Sequence, residues 1–251
     1  MTVSLSSSSL ALANPSTTAT AQEDTTTAAL DKVSPALGKA HGRVQSQLQS
    51  HSASLSQLGK YKATVADLSS AAQALGQLGG SASVADHTQV VERFVAAYNQ
   101  AIKASQPETT SEASSTLASS RRALTHTDTN RSQLAKLGLS RQADGTLKLD
   151  TAALKKALAA SAGDTRTSSP PSTALSTLAQ LGKAIGKRAD QELASGSRLA
   201  TATSLYSGKT ALLKQQQTRL LEAATQMSSQ ANTGINMGHW GTQQALRKYA
   251  V

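Results

Sequence analysis

Residues 30–78 read LDKVSPALGKAHGRVQSQLQSHSASLSQLGKYKATVADLSSAAQALGQL. Apolar residues recur along this stretch at steps of mostly three and four, a spacing that keeps them on one face of a helix and matches a coiled-coil seam. Ser34 and Pro35 favour a helix start, because Ser caps free N–H groups and Pro is tolerated at the first helical position. The Gly79-Gly80 pair favours an end. The pattern predicts a helix over 35–78. Four of its seam residues are expected to be core or assembly contacts: Leu48, Leu55, Leu58 and Val65.

The segment before this helix has a different composition. Residues 1–29 are rich in Ser, Thr and Ala, carry only Glu23 and Asp24 as charges and show no period, which predicts a disordered tail. No basic residue and no sustained apolar run occurs there, so the segment is not typical of a cleaved secretory signal peptide. An exported protein of this kind would use a route that reads an uncleaved N-terminus. No apolar run in the chain approaches the roughly 20 residues that span a bilayer.

A second helix is predicted over 87–104, with Asp86 as its cap. Phe94 and Tyr98 lie on its apolar face, the most strongly apolar in the chain, and are expected to be core contacts. Aromatic residues make up only 2% of the sequence, so these two side chains carry a large share of the available aromatic surface. Replacement of either should therefore affect the whole core.

A β-hairpin is predicted over 139–149. Asp144-Gly145 suits its turn because Gly accepts a positive φ, and strand side chains alternate between two faces. The expected inward or interface residues are Leu139, Leu147 and Leu149. Asp150 is then expected to cap a helix over 151–160.

The C-terminal part returns to helical periodicity. A helix is predicted over 198–231, with Leu213 and Leu220 in its apolar stripe, followed by a tail over 232–251. We expect this helix to pack antiparallel against the 35–78 helix, with the Phe94 helix beside them. The fold class predicted is mainly α: a long antiparallel coiled-coil-like helical bundle over 30–231 with one small β-hairpin and disordered termini.

The sequence contains no recognisable catalytic or cofactor-binding arrangement. His41 and His51 are ten residues apart, which does not place them as metal ligands on one helical face, and the remaining histidines lack partners at ligand spacing. There is no phosphate-binding loop, no dinucleotide fingerprint and no nucleophile elbow. Cysteine is absent, so thiolate chemistry is excluded. We expect a protein that is not an enzyme and that needs neither metal nor cofactor.

The net charge of +10 at pH 7 leaves a nucleic-acid-binding function open. The basic residues are dispersed singly or in pairs, and stacking aromatic residues are scarce, so solvated helix faces or attraction to an acidic protein partner are favoured over a nucleic-acid interface. A basic helical nucleic-acid-binding protein remains the alternative of a different class. It would shift DNA in a salt-sensitive manner.

Three segments, in order, resemble the flagellar filament cap family, hook-associated protein 2. Leu55-Ser-Gln-Leu-Gly-Lys-Tyr-Lys-Ala-Thr-Val-Ala-Asp-Leu68 is similar to a stretch of that family's N-terminal helix. Val91-Glu-Arg-Phe-Val-Ala-Ala-Tyr-Asn99 resembles its F-V-x-A-Y-N helix. Leu134-Ala-Lys-Leu-Gly-Leu-Ser-Arg-Gln-Ala-Asp-Gly-Thr-Leu-Lys-Leu-Asp150 resembles its D-G-x-L-x-L-D hairpin. The 198–231 helix lies where that family's closing helix would be, and the resemblance as a whole covers roughly residues 30–231.

The resemblance implies an extracellular structural protein of the bacterial flagellum, exported through the flagellar channel. It also implies a homo-oligomer whose partners are axial proteins: flagellin and the hook–filament junction protein. The family carries a β-rich head on coiled-coil legs, whereas about a dozen residues lie between Leu78 and Val91, where that head would be inserted. The expected protein is therefore a short form without the head. A secreted helical assembly protein outside the flagellum, or a monomeric helical bundle, are the other interpretations.

Overall fold

A computed structural model describes residues 26–79, 82–106, 113–126, 131–162 and 173–248, with only the backbone described at 161–162, 173 and 231–248. The predicted fold class is confirmed: the described chain is mainly α with one small antiparallel sheet. It divides into two compact units. The central unit comprises residues 49–210, and the terminal unit combines residues 1–48 with 211–251.

Helices precede and follow one β-hairpin along the described chain. Residues 26–33 are helical and are labelled α1. The further elements are α2 (Pro35–Gly76), α3 (Val84–Ala104), α4 (Ser114–Thr125), α5 (Arg131–Lys136), β1 (Leu139–Arg141), β2 (Leu147–Leu149), α6 (Thr151–Ala162), α7 (Thr173–Leu193) and α8 (Arg198–Lys248).

Both ends of the chain contain more helix than the sequence pattern predicts. Residues 26–29 belong to α1 and not to a disordered tail, while 1–25 lie outside the described residues. At the other end α8 runs on to Lys248, so the predicted end at 231 and the tail over 232–251 are wrong up to that residue. Proline, which would break the helix, does not occur after Pro171. The glycines after 231 weaken a helix without ending it.

The central unit is built on the apolar stripe of α2. Leu58, Tyr61, Val65, Leu68 and Leu75 are fully buried at helical spacing. They belong to one apolar cluster with residues from every other element of the unit. The α3 helix packs on α6 and β2, and α7 packs on α4 and α6. A single core therefore organises the central unit, because a sequence this poor in apolar residues cannot fill several.

The α3 helix begins three residues earlier than predicted. Ser83 is the N-cap, and its hydroxyl accepts a hydrogen bond from the Asp86 N–H at 3.1 Å. The Asp86 carboxylate in turn accepts one from the Ser83 N–H at 3.1 Å. The prediction that Asp86 is the cap is therefore wrong. It occupies the third helical position of a reciprocal capping box, where a carboxylate also suits the helix dipole.

The hairpin forms where the sequence predicts it. β1 and β2 are antiparallel, with Leu139 opposite Leu149 and Arg141 opposite Leu147. The loop closes through the Gln142 N–H, which donates to the Thr146 carbonyl at 2.8 Å, and Gly145 has a φ of +90°. Asp150 caps α6 by accepting from the Ala153 N–H at 3.0 Å. The turn therefore uses Gly145 for the positive φ that a side chain would make costly.

Asn99 joins this hairpin to α3. Its amide group donates to the Leu147 carbonyl at 2.8 Å and accepts from the Leu147 N–H at 2.7 Å. A single side chain thus satisfies both backbone groups of one strand residue, in place of a third strand. The contact fixes the position of the hairpin relative to the α3 helix, since both hydrogen bonds depend on one amide orientation.

The α2 and α7 helices approach each other at backbone distance. A Cβ placed on Gly182 would lie 2.5 Å from the Gly76 nitrogen and 2.7 Å from the Ala72 carbonyl oxygen. Farther along, the Ser69 hydroxyl donates to the Asp190 carboxylate at 2.5 Å. Residue numbers rise along one helix as they fall along the other, so the pair is antiparallel. In this unit residues 49–76 of α2 thus pair with α7, which the sequence did not predict. They also contact α8, the predicted partner helix, through His51 and Tyr206.

We expect Gly182→Ala to lower the free energy of unfolding by about 1–3 kcal/mol, because a new methyl group would overlap backbone that cannot move aside cheaply. Gly186→Ala on the same helix is the matched control. Its Cβ would meet the Ala72 Cβ at an ordinary 3.6 Å, so the gain in helix propensity should leave stability unchanged or raised by up to about 1 kcal/mol. Urea denaturation followed by circular dichroism measures both. Equal stability of the two variants would contradict the close helix contact.

Candidate functional site

The core or assembly residues predicted from sequence lie inside the two units. In the central unit Leu58, Val65, Phe94, Tyr98, Leu139 and Leu147 are buried, and Leu55 and Leu149 are partly buried against the same core. In the terminal unit Leu213 is buried, and Leu48 and Leu220 are partly buried. The structure therefore brings eight of the eleven together in the central unit. As buried residues, they hold the chain's own fold and present little surface to a partner.

The large apolar side chains that do reach solvent are others. In the terminal unit, Leu212 is 62% exposed, Met227 45% and Leu221 38%. The buried stripe of α8 in this unit contains Leu213 and Ala224. By helical spacing, Leu212 and Met227 lie on one flank of that stripe and Leu221 on the other. This stretch of α8, residues 211–230, is referred to below as the α8 surface.

The sequence pattern did not predict the α8 surface, because a 3.6-residue period identifies one buried face per helix and leaves the exposed apolar residues unassigned. Met227 fits the buried stripe by spacing, yet it is exposed, and Leu212 and Leu221 fall outside the stripe. The sequence feature that could have indicated this surface is the presence of leucine at positions where the 3.6-residue period predicts polar residues. Leu205, 54% exposed in the central unit, is a further example.

In the terminal unit, buried polar contacts join the first part of α2 to α8 and α1. The Gln217 amide donates to the Gln45 side-chain oxygen at 3.0 Å and reaches His41 Nε2 at 3.3 Å. The other ring nitrogen of His41 lies 3.0 Å from the Thr27 hydroxyl. Since an amide nitrogen only donates, His41 Nε2 accepts and Nδ1 carries the proton. The contacts explain how a buried histidine is satisfied without a metal ligand role.

The central unit contains polar pairs that could be mistaken for catalytic groups. The Ser120 hydroxyl donates to the Glu192 carboxylate at 2.5 Å, close to Tyr61. The hydroxyls of Tyr61 and Tyr98 are buried without a hydrogen-bond partner in the described structure. Burial, and then the negative charge of Glu192, raise the pKa of Tyr61 far above its usual 10, against a smaller lowering by the Ser120 hydroxyl, which lies close by without reaching hydrogen-bond geometry. Burial also raises the pKa of Tyr98, and Arg141 partly offsets this. Both phenols stay protonated near neutral pH, so neither can act as a base.

Across the described residues, no three His, Asp or Glu side chains are grouped so as to hold a metal ion. None of the described helices is both long and apolar enough to cross a membrane.

Comparisons with known proteins give no relative. No family model matches the chain, and no curated protein or solved structure matches it.

The Tyr61 hydroxyl gives a testable consequence of burial. Tyr61→Phe should leave the free energy of unfolding at pH 7 unchanged or raise it by about 1 kcal/mol, because an unpaired buried hydroxyl contributes no hydrogen bond. In the wild-type protein, stability should fall as the pH rises above about 10, where only the unfolded tyrosine ionises. Part of that alkaline loss should disappear in Tyr61→Phe.

Chemical denaturation of both proteins between pH 7 and 11 measures the effect. Comparison of the two proteins at each pH cancels the contribution of the lysines, which titrate in the same range. Tyr98→Phe is the parallel variant and should behave in the same way. A loss above about 1 kcal/mol in Tyr61→Phe at pH 7 would mean that the hydroxyl has a hydrogen-bond partner, and the account of the site would be wrong.

Proposed function

We propose that this protein is a non-enzymatic assembly component of the bacterial flagellum, a short relative of the filament cap family that acts through helical subunit contacts. The observation that carries the proposal is the α8 surface, where Leu212, Leu221 and Met227 are exposed in a chain with few apolar residues to spare. Large apolar side chains that stay exposed along one helix are available to anchor a partner helix. The three sequence segments similar to the cap family supply the flagellar assignment.

The proposed partners are further copies of the chain and the flagellar axial subunits, flagellin and the hook–filament junction protein. Subunits of such assemblies contact one another through helices, and apolar side chains at helical spacing are the usual anchors of these contacts. Burial of one fully exposed leucine or methionine contributes about 1.5–3 kcal/mol, so loss of one such anchor should weaken association about tenfold or more. The proposed location is extracellular, with export that does not depend on a cleaved signal peptide.

Self-association of the purified protein tests the surface itself. Sedimentation equilibrium should give a concentration-dependent oligomer whose dissociation constant rises at least about tenfold in the double variant Leu212→Gln with Met227→Gln, as expected when about 1.4 kcal/mol or more of burial is lost. Gln215→Ala with Gln226→Ala changes two exposed residues of the same helix and should leave the constant unchanged. Equal association of the two double variants would remove the α8 surface from the proposal.

A strain that lacks the gene tests the flagellar assignment. Its filaments should be shortened, or flagellin should appear in the medium, and the wild-type gene should restore the filaments. The Leu212→Gln, Met227→Gln variant should be exported yet fail to restore the filaments. The control variant, Gln215→Ala with Gln226→Ala, should restore them. Normal filaments and motility in the deletion strain would contradict the flagellar function. They would not affect the conclusion on self-association through the α8 surface.

A further inference from the structure

The central unit contains a cavity of about 800 Å³ beside the hairpin, remote in the sequence from the α8 surface. Its wall includes Arg121 of α4, Arg131 of α5 and Arg141 of β1. Cavities of this size accommodate small ligands or a few residues of peptide. The three arginines come from three separate elements, so it is the tertiary fold and not the local sequence that brings their charges together.

Among the described residues that line the cavity one is acidic, Asp144, and the turn already engages its carboxylate. It accepts hydrogen bonds from the Thr146 N–H at 2.9 Å and from the Thr146 hydroxyl at 2.6 Å. Three arginines and one carboxylate, which is held within its own loop, thus line the described part of the cavity. The described lining has a net positive charge, and a cleft with one sign of charge concentrates ligands of the opposite sign.

The fold also fixes one of the three guanidinium groups. Arg141 is half-buried and donates to the Thr125 carbonyl at the end of α4, and Tyr98 lies close to it on the core side. Arg121 is half-buried and Arg131 is exposed. An arginine that is held in place loses less side-chain freedom on binding a ligand, and planar guanidinium groups bind carboxylates in a bidentate manner.

We propose that this cavity binds an acidic peptide segment through the carboxylates of neighbouring Asp or Glu side chains. Separated arginines suit several carboxylates on one extended chain better than a single small anion, which would contact them one or two at a time. Ala135 and Ala143 line the same cavity, are exposed, and offer apolar contacts for the stems of those side chains. The lining residues include no aromatic side chain, so no stacking platform for a nucleotide base is present in the described cavity.

Fluorescence anisotropy with a labelled hexaglutamate peptide and the full-length protein at low salt tests the proposal. Hexaglutamate should bind, hexaglutamine should not, and added salt should weaken binding. Arg121→Gln and Arg131→Gln should each raise the dissociation constant about fivefold or more, the range expected for loss of one partly exposed charge-assisted contact. Arg122→Gln is the matched control, because it removes the same charge from the next residue of α4, which does not line the cavity.

Each other outcome contradicts the proposal. Equal weakening by Arg121→Gln and Arg122→Gln would show attraction to the net charge of the protein and no defined site. Inorganic phosphate that displaces hexaglutamate as effectively as unlabelled hexaglutamate would show a small-anion site and not a peptide site. Absence of hexaglutamate binding would remove the site altogether. The assay involves neither self-association nor filaments, so its failure would leave the proposed assembly function untouched.

Discussion

Burial of the α2 stripe in the shared core, with α7 packed closely on the same helix, is the constraint on which the central unit depends. Leu58, Leu68 and Leu75 are completely buried on one face of α2, and the Gly182 contact lets α7 approach to backbone distance. Close approach matters in this chain because it has few large apolar residues with which to fill a gap. Dispersion contacts between backbones replace the side chains that a richer sequence would supply. The hairpin, held through Asn99, closes the same core from the α3 side.

Much of the fold could be predicted from local sequence signals. The 3.6-residue period gives α2 and α3, and Asp144-Gly145 between alternating leucines gives the hairpin, because both signals act within a few residues of the chain. The Ser83 cap was missed since Ser and Asp in the same turn both have cap chemistry, and only geometry distinguishes the N-cap from the third helical position. The α2–α7 contact was missed because it depends on two glycines that are far apart in sequence and carry no periodic signal of their own.

The α8 surface and the arginine-lined cavity both depend on tertiary structure that local sequence patterns do not reveal. Periodicity predicts buried residues well, so most of the residues expected at an interface are buried in the fold of the chain itself. Leu212 and Leu221 do not follow the period of the apolar stripe of α8. Their exposure depends on how the helix packs within its unit. The arginines of the cavity occur ten residues apart in the sequence, where dispersed basic residues suggest a solvated face. Their convergence is a product of α4, α5 and β1 packing together.

Hydrogen–deuterium exchange at two protein concentrations tests most directly the central claim, that the α2 core holds the fold while the α8 surface is left for assembly. Amides of 58–75, 91–102 and 178–189 should be the slowest to exchange and should be independent of concentration, because they open only with global unfolding. Amides of 211–230 should exchange faster in dilute protein and become protected at high concentration. Protection of 211–230 equal to that of the core in dilute protein would contradict the account.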